Sequence, residues 1–457
     1  MEKQNRQMDV VDNSKQNTEA GKQELYLYSL RKMAEDNVER NKSPLTRLQN
    51  LRSFFYTGGE IIRENPKEQF ALIAMDIAQF KAVNEFCGRD AGDALLAAIA
   101  EVFRELDAER PMTISSHARA DVFAMLTAYQ EEQELVDIVL RIKKVIDEFP
   151  IDCKVLPAFG IATAQGEQPA ISYLKDCATM ALNTIKGKFY ASYAFFDEKM
   201  RKQQMMEKKI ENNIVTALKN GEFALYIQPK VDMATGQIVG GEALVRWVDP
   251  NYGVISPGDF LPVLEKNGFV IDLDTYIWEQ VFQMQSRLLS EGRKPVPVSV
   301  NVSRVHAFDE CFCDTLCRLS EQYQVEPSYV PLELTESAFL WDEQGMYQRL
   351  ETLQSKGFIA SMDDFGTGFS TMNMLKNQSM DEVKVDQTFI RDLETNEKSR
   401  IMIRHTIRML QELDTDIIVE GVETEEQRKF LLDCGCKAAQ GYLFYRPMPW
   451  QDFVALL

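Results

Sequence analysis

The stretch GGEALVRW, residues 240–247, places Glu242 and Arg246 within a run that is otherwise typical of a buried β-strand. Two opposite charges in such a run are either a structural salt bridge or residues that face a site at the end of the strand. Seven further apolar runs of strand length lie between residue 222 and the end of the sequence, namely FALYIQPKV, VPVSVNVS, VPLELTES, FIASMDDFG, EVKVDQTF, DIIVEGVE and AAQGYLFYRP. Most are followed by a helical pattern, so the alternation predicts an α/β fold, a (β/α)8 barrel.

Composition limits the classes of partner. The chain has 457 residues, 26% of them charged, and a formal net charge of −19. This charge argues against nucleic acid as a partner and against docking on an anionic membrane, because both favour clustered Lys and Arg. No apolar run approaches the length of a membrane span, and residues 1–21 are too polar for a signal peptide. We therefore expect no membrane insertion and a cytoplasmic location.

Cysteine and histidine usage argues against a zinc site. The eight cysteines include a cluster at Cys311, Cys313 and Cys317, which lacks the Cys-x-x-Cys spacing and histidine partners of such sites. Reduced, mostly buried thiols are the better interpretation. Because the chain has only three histidines, acid–base chemistry would fall largely to carboxylates, lysine or metal-bound water.

The pattern divides the chain into four segments. Residues 1–42 are polar and expected to be partly disordered or helical, and residues 43–196 mix strands such as FALIAMDI with helices such as GDALLAAIAEVFREL. Residues 197–221 have an Asp cap, a helical middle and a terminal glycine, which predicts a linking helix. Residues 222–457 form the predicted barrel.

Each predicted barrel strand ends in one or two polar residues. They are Gln228, Glu242 with Arg246, Asn301, Glu333 with Glu336, Asp363 with Asp364, Lys384 with Asp386, Glu420 with Glu423, and Gln440. The C-terminal strand ends of such a barrel converge on one mouth, where so many carboxylates would oppose one another's ionisation unless cations bind. Oxygen ligands with one amide suit Mg²⁺ or Mn²⁺, and two such ions with a lysine suggest hydrolysis of a phosphoester. Unrelated charges that cap strands are the alternative.

The ordered set of motifs closely resembles the EAL domain, a family of cyclic di-GMP phosphodiesterases. The motifs are YIQPKVD, GGEALVRW, GVISPGDFLPVLEKNG, VSVNVS, LELTES, MDDFGTGFS, VKVDQTFI, VEGVET and QGYLFYRP, and the resemblance runs from about residue 205 to 457. It implies a TIM-like barrel, cyclic di-GMP as substrate, linear pGpG as product, and two Mg²⁺ or Mn²⁺ ions in each EAL site.

The same resemblance implies a role for each matching residue. The first metal ion would be held by Glu242, Asn301, Glu333 and Asp363, and the second by Asp364 and Asp386. Catalysis would involve Glu242, Lys384 on the attacking water, and Glu420 as a base or metal contact. Substrate contacts would come from Gln228, Leu244, Arg246, Glu423, Gln440 and Pro447, and Glu336 would anchor the loop after the fifth strand.

One loop departs from the family pattern. Residues 369–375 read FSTMNML where the family favours Tyr-Ser-Ser-Leu-Ser-Tyr-Leu. That loop is linked in the family to metal coordination and to dimer contacts, so the departure bears on regulation more than on chemistry. The resemblance implies a homodimer formed through the EAL domain.

Residues 43–196 resemble the GGDEF domain, the family of cyclic di-GMP synthases, on SPLTRLQNLRSFF and AMDIAQFKAVNEFCGRDAGDALL. This implies a nucleotidyl-cyclase-like α+β domain whose sheet is mostly antiparallel. The signature Gly-Gly-Asp-Glu-Phe reads RADVF, residues 119–123, so Val122 replaces a metal-ligating acid. Asp76 remains, and Arg110 of the product-inhibition motif has lost its acidic partner to Thr113. We therefore expect a domain that does not synthesise cyclic di-GMP.

Two residues of the degenerate domain match the family's guanine contacts. Asn84 and Asp93 could be vestigial nucleotide contacts, or a helix-face residue and a cap. GTP is accordingly a possible regulator, and a protein partner could dock on this domain or on the N-terminal segment. The alternatives to a phosphodiesterase are a cyclic di-GMP receptor that does not cut its ligand, a scaffold, and a bifunctional synthase and hydrolase, which Val122 disfavours.

Overall fold

The structure is a computed structural model that describes residues 41–164, 170–251, 253–339, 342–366, 375 and 380–457. The chain divides into two compact units, Met1–Gln204 and Met205–Leu457. The division falls within one helix, Glu198–Asn220, in the segment that the sequence predicts as a linker. The predicted N-terminal segment and the divergent loop at 369–375 fall almost entirely outside the described residues.

Unit 1 contains a five-stranded sheet. The strands are β1 (Gln69–Ile77), β2 (Ile114–Arg119), β3 (Val122–Tyr129), β4 (Pro157–Thr163) and β5 (Tyr193–Phe195), in the order β2-β3-β1-β4-β5. All neighbours are antiparallel except β4 and β5. The helices are α1 (Leu51–Glu64), α2 (Phe80–Cys87), α3 (Arg89–Glu109), α4 (Glu132–Asp147), α5 (Ile171–Ile185) and the shared α6 (Glu198–Asn220). The predicted α+β fold with a mostly antiparallel sheet is confirmed.

The central strand β1 explains why this sheet is covered on both faces. Ile73 and Met75 join the core shared with α3 and α4, whereas Phe70 and Leu72 join the core shared with α1 and α5. Since successive side chains of a strand point to opposite faces, the continuous apolar run gives two buried faces.

The β2–β3 hairpin turns at the degenerate signature. Arg119 pairs with Val122, so Ala120 and Asp121 form a two-residue turn, and Ala120 has a φ of 50°. Such a turn needs positive φ, which favours glycine. The His117 ring Nε2–H donates to the Ala120 carbonyl at 2.7 Å, which helps to hold this conformation.

Replacing Ala120 by glycine is expected to stabilise unit 1 by about 1 kcal/mol, because a Cβ in the left-handed region is strained. Hydrogen exchange of the β2 and β3 amides measures this change. Ala124→Gly, in the regular part of β3 and 3% exposed, is the matched control and should lower protection instead. Equal losses of protection in both variants would contradict the strain at Ala120.

Unit 2 contains a closed eight-stranded barrel. Its strands are β6 (Phe223–Asp232), β7 (Ile238–Asp249), β9 (Val298–Val302), β10 (Leu332–Thr335), β11 (Ala360–Phe365), β12 (Glu382–Val385), β13 (Asp416–Val419) and β14 (Ala438–Ala439). Two short strands, β8 (Gly253–Ile255) and β15 (Met448–Pro449), pair with the outer half of β7 and with β6. The eight predicted strand runs are all present.

Seven described helices surround these strands. They are α7 (Pro257–Asn267), α8 (Val270–Ser290), α9 (Phe312–Tyr323), α10 (Glu343–Ser355), α11 (Glu397–Glu412), α12 (Glu425–Asp433) and α13 (Trp450–Leu456). Short 3-10 turns follow β9 at Arg304–Phe308, β10 at Glu336–Phe339 and β12 at Gln387–Phe389, and another lies at Pro327–Tyr329. No helix among the described residues is both long enough and apolar enough to cross a membrane.

The first barrel strand departs from a regular (β/α)8 pattern. Strand β6 is antiparallel to both of its barrel neighbours, β7 and β14, and only residues 233–237 separate it from β7. The expectation that each strand ends in its polar residue is therefore wrong for Gln228, which lies in the middle of β6 and pairs in register with Glu242. Glu242 likewise lies inside β7, because the outer part of β7 continues past the barrel to pair with β8.

Candidate active site

The parallel strands of the barrel finish at one end, which we call the mouth. Strand β11 delivers two consecutive carboxylates there, because a bulge shifts its register against β12 between Met362 and Phe365. Asp364 has a φ of 54°, and its backbone N–H donates to Asp363 Oδ1 at 3.0 Å. The bulge thus breaks the usual alternation of side chains between the two faces of a strand.

Lys384, on β12, lies at the centre of the mouth and has a side chain only 1% exposed. Its Nζ is within 4 Å of four carboxylates from four different strands or strand ends. The distances are 2.6 Å to Glu420, 2.9 Å to Glu333, 3.0 Å to Asp363 and 3.4 Å to Glu242. One ammonium cannot balance four carboxylates, so the mouth has an excess of negative charge.

This charge excess changes the protonation of the site. Burial alone would lower the pKa of Lys384, but the carboxylates of Glu242, Glu333 and Glu420 raise it well above its ordinary value. Burial raises the pKa of Glu420 to about 8, with Lys384 opposing the shift and Asp363 adding to it. Burial also raises the pKa of Glu242 and, together with the neighbouring Asp363, that of Asp364. The lysine is therefore charged and Glu420 is poised to hold a proton near neutral pH.

Three carboxylates are arranged as a cation site would require. Oxygens of Asp363, Asp364 and Glu420 all lie within 4.8 Å of one another. Asp386 is 8% exposed and accepts from the Thr388 backbone N–H at 2.9 Å, and its charge raises the pKa of Asp364. An all-oxygen donor set of this kind suits Mg²⁺ or Mn²⁺.

Asn301 and Glu336 lie on or just after their predicted strands, but no side-chain contact of either is described. Asn301 is exposed on β9, and its backbone carbonyl accepts a hydrogen bond from the Trp278 indole at 3.0 Å. Glu336 begins the 3-10 turn after β10, and its side chain lies outside the described part of the structure. Its predicted role as a loop anchor stays a prediction.

An amide network fixes Glu242 from the side. The Gln440 side-chain amide donates to Glu242 Oε2 at 2.5 Å and to Gln228 Oε1 at 3.0 Å. The Gln228 amide in turn donates to the Tyr445 carbonyl at 3.2 Å. Both glutamines are buried, so they act on the orientation of Glu242 as well as on the shape of the mouth.

Two cavities share Glu242 and Leu244. The first, about 370 Å³, also contains Gln228, Lys384, Glu420, Glu423 and Gln440 in its walls. The second, about 360 Å³, extends towards Arg246, Asn301 and Trp278. The Arg246 guanidinium lies 5.7 Å from the Tyr226 ring centre and donates to the Val245 carbonyl at 2.8 Å. Pro447 precedes β15 and is absent from the described walls of both cavities.

The sequence pattern does not indicate a buried lysine, Lys230, that contacts two glutamates directly below this site. Lys230 contacts Glu333 at 3.0 Å and Glu382 at 3.3 Å. Burial alone would raise the pKa of Glu333, but Lys384 and Lys230 together lower it to about 2. The one indication in the sequence is the charged Lys230 inside the apolar run FALYIQPKV. The strand pattern does not show which carboxylates pair with it.

Unit 1 retains part of an acidic site. Lys186 Nζ lies 2.6 Å from Asp76, and Asp121 accepts from the Ile77 backbone N–H at 3.0 Å. Burial and the neighbouring Asp76 raise the pKa of Asp121 to about 6. The sequence indicates Asp76 as the remaining acid, and Asp121 joins it because the β2–β3 turn lies beside the end of β1.

The other candidate residues of unit 1 are engaged or dispersed. Arg110 donates to Glu134 at 2.6 Å, so its guanidinium is already paired. Asn84 Oδ1 is buried without a hydrogen-bond partner among the described residues, facing Gly92, whereas Asp93 is exposed on α3. Arg119 is exposed beside Val122.

The closed barrel with four carboxylates around one buried lysine at its mouth places unit 2 among the TIM-like domains with an acidic site. Residues 211–447 match the family model of the EAL domain, and this chain belongs to that family. Residues 42–188 match the family model described as diguanylate cyclase, GGDEF domain. The chain is thus a GGDEF–EAL protein.

Curated relatives share both parts. The chain is 30% identical over 391 residues to MucR of Pseudomonas aeruginosa, a bifunctional diguanylate cyclase/cyclic di-GMP phosphodiesterase. The aligned region covers 85% of this chain and 57% of MucR. It is 29% identical over 428 residues to NbdA of the same organism, a cyclic di-GMP phosphodiesterase, covering 92% of this chain and 54% of NbdA. This chain therefore spans little more than half the length of either relative.

Solved structures agree with the fold. The PaMucR phosphodiesterase in complex with c-di-GMP is 33% identical, has a TM-score of 0.51, and covers 54% of this chain and 99% of that one. The EAL enzyme Bd1971, in a form bound to cAMP and cyclic di-GMP, has a TM-score of 0.54 at 21% identity and covers 85% of this chain and 95% of that one. The second likeness concerns the fold alone.

Proposed function

We propose that this chain is a metal-dependent phosphodiesterase that hydrolyses cyclic di-GMP to linear pGpG. The observation that carries the proposal is Lys384, buried and in contact with Glu242, Glu333, Asp363 and Glu420 at one barrel mouth. Four carboxylates have no structural need to converge on one ammonium, whereas a site for cations and a phosphodiester does need this arrangement.

The residues at the mouth fit two divalent ions. Glu242, Glu333 and Asp363, with Asn301, are proposed to hold the first, and Asp364 with Asp386 the second. The close oxygens of Asp363, Asp364 and Glu420 support this assignment. Bound Mg²⁺ or Mn²⁺ would supply Lewis acidity for the phosphodiester and lower the pKa of water.

The protein groups then divide the remaining work. Lys384 is proposed to hold the attacking water, because its ammonium is buried and permanently charged at neutral pH. Glu420 is proposed to accept the proton of that water, because its carboxylate contacts Lys384 Nζ at 2.6 Å and lies beside the oxygens of Asp363 and Asp364. Gln440 and Gln228 would keep Glu242 oriented through their amide network.

The substrate proposal combines the two cavities with the relatives. Together they form a concave surface beside the acidic mouth, with Arg246 available to an anionic phosphate at one side. Leu244, Gln228, Gln440 and Glu423 would shape the pocket. The PaMucR phosphodiesterase, whose structure was solved in complex with c-di-GMP, supports this dinucleotide as ligand.

A receptor that binds cyclic di-GMP without cutting it is the second candidate. The presence of all four carboxylates around Lys384 favours the enzyme, because each of them is a proposed metal ligand or base. The test is to mix the intact chain with cyclic di-GMP and EDTA, measure binding, and then add excess Mg²⁺ to one sample and excess Mn²⁺ to another. Conversion of the bound ligand with either ion supports the enzyme, and unchanged ligand with both would identify a receptor.

Unit 1 is proposed to have lost synthesis. We expect the intact chain to form no cyclic di-GMP from GTP and Mg²⁺, because Val122 offers no oxygen to a metal and Lys186 already pairs with Asp76. To prevent hydrolysis from hiding a product, the assay uses Glu242→Ala and detects cyclic di-GMP by chromatography. Accumulation of cyclic di-GMP in that variant would overturn this part of the proposal.

We propose that unit 1 has a regulatory or oligomerisation role instead of a synthetic one. Binding of GTP without turnover, through Asn84 and Asp93, is tested by calorimetry on the intact chain, and no heat at millimolar GTP would end it. A homodimer through the EAL domain, a protein partner for the N-terminal region and a cytoplasmic location stay proposals from the sequence.

A further inference from the structure

A second lysine lies inside the barrel, below the mouth. Lys230 comes late in β6, and because β6 is antiparallel its last residues lie among the starts of the parallel strands. A cavity of about 570 Å³ at that end is lined by Lys230 together with Glu382 and Asp416, which begin β12 and β13, and Pro297 and Pro331, which precede β9 and β10. The Lys230 side chain is only 5% exposed, so its ammonium needs buried partners.

Those partners include a proposed metal ligand. Lys230 Nζ and the Ser299 hydroxyl both donate to Glu333 Oε1, at 3.0 and 2.5 Å. Lys384 donates to the other oxygen, Oε2, at 2.9 Å. Two donors, Lys230 and Ser299, therefore hold Oε1 of Glu333 from below. Oε2 is the oxygen that faces Lys384 and the carboxylates around it.

The lower side of Lys230 is also fixed. Its Nζ lies 3.3 Å from Glu382 Oε1, and that oxygen accepts from the Ser361 hydroxyl at 2.8 Å. Ser299, Ser361 and Glu333 are fully buried, and the Glu382 side chain is 17% exposed. The contacts form a continuous series from Ser361 through Glu382, Lys230 and Glu333 to Lys384.

We propose that Lys230 is a positioning residue of the active site, which sets the orientation of Glu333 and offsets its charge from below. This inference rests on the proposed function, in which Glu333 binds a divalent ion. Without Lys230, Lys384 and Ser299 would be the remaining donors to Glu333, so the carboxylate could turn and Lys384 would be drawn closer to it. Both changes oppose the binding of a cation by Oε2.

Lys230→Met keeps the length of the stem and removes the ammonium. We expect Mn²⁺ affinity of the intact chain, measured by calorimetry without substrate, to fall about 10- to 100-fold, as is usual when a group supporting a metal ligand is lost. We expect kcat to fall by a similar factor. KM for cyclic di-GMP should change little, because Lys230 is absent from the described walls of both upper cavities.

Two further variants separate positioning from a structural ion pair. Glu382→Gln leaves Lys230 on Glu333 and should retain Mn²⁺ affinity and kcat. Lys230→Met with Glu382→Gln removes both opposite charges, so it should fold even where the single variant does not, and should remain impaired. Folding is followed by tryptophan fluorescence, because Trp247, Trp278, Trp341 and Trp450 all belong to unit 2.

The outcomes are distinguishable from those of the main proposal. A wild-type chain that neither binds Mn²⁺ nor hydrolyses cyclic di-GMP would refute the proposed function itself. A wild-type chain that does both, with a folded Lys230→Met variant of equal affinity and kcat, would refute only the role of Lys230. Full recovery in the double variant would likewise show that Lys230 merely neutralises Glu382.

Discussion

Replacing Glu242 by alanine is expected to reduce hydrolysis of cyclic di-GMP by about 1,000-fold or more. The carboxylate lies 3.4 Å from Lys384 and receives the Gln440 amide, so it is oriented towards the proposed ion. Loss of a metal ligand removes several kcal/mol of stabilisation of the transition state, and each 1.4 kcal/mol is about tenfold in rate. Formation of pGpG at saturating Mg²⁺ is the measurement.

The same strand offers a matched control. Asp249, also on β7, has a side chain 6% exposed and lies 3.4 Å from Lys209, so it too is a buried carboxylate paired with lysine. It lies outside the described walls of both upper cavities. Asp249→Ala should lower thermal stability while turnover per folded molecule is retained. Near-wild-type turnover of a folded Glu242→Ala variant would remove Glu242 from the chemistry.

Replacing Lys384 by methionine should reduce kcat by about 100- to 1,000-fold, the usual cost when one preorganised donor of an active site is lost. Affinity for cyclic di-GMP should be largely retained, because the proposed role of the ammonium is on the water. With Mg²⁺ present, bound ions would offset the four carboxylates that the lysine now contacts. Single-turnover rates and equilibrium binding are measured on the same preparation.

The control for this variant is Lys437→Met, which changes an exposed lysine at the opposite end of the barrel. It should retain both rate and affinity. A Lys384→Met variant that loses affinity while keeping kcat would assign the ammonium to the substrate and leave the water without a protein contact from β12.

The barrel and most of its mouth could be predicted because the period of the apolar runs and the position of each polar residue are local properties. Asp363 and Lys384 lie in the second halves of parallel strands and Glu420 follows another, and parallel strands finish together. Their convergence on Lys384 is thus a consequence of topology. The distances between them depend on register and on the bulge at Asp364, which no single run of sequence specifies.

The direction of β6 could not be predicted in this way. An antiparallel strand has the same apolar pattern as a parallel one, so the pattern predicts Gln228 at a strand end and gives no partner for Lys230. The pairing of Lys230 with Glu333 and Glu382 joins residues more than 100 positions apart. In unit 1 the contact of Asp121 with the end of β1 similarly depends on the β2–β3 hairpin.

Hydrolysis of cyclic di-GMP by the intact chain tests the central claim most directly. The chain is incubated with cyclic di-GMP in Mg²⁺, in Mn²⁺ and in EDTA, and the nucleotides are separated and quantified. The account predicts stoichiometric conversion to pGpG with at least one of the two ions, and none in EDTA. Intact cyclic di-GMP under all three conditions, from a folded chain that binds it, would contradict the account and identify a receptor.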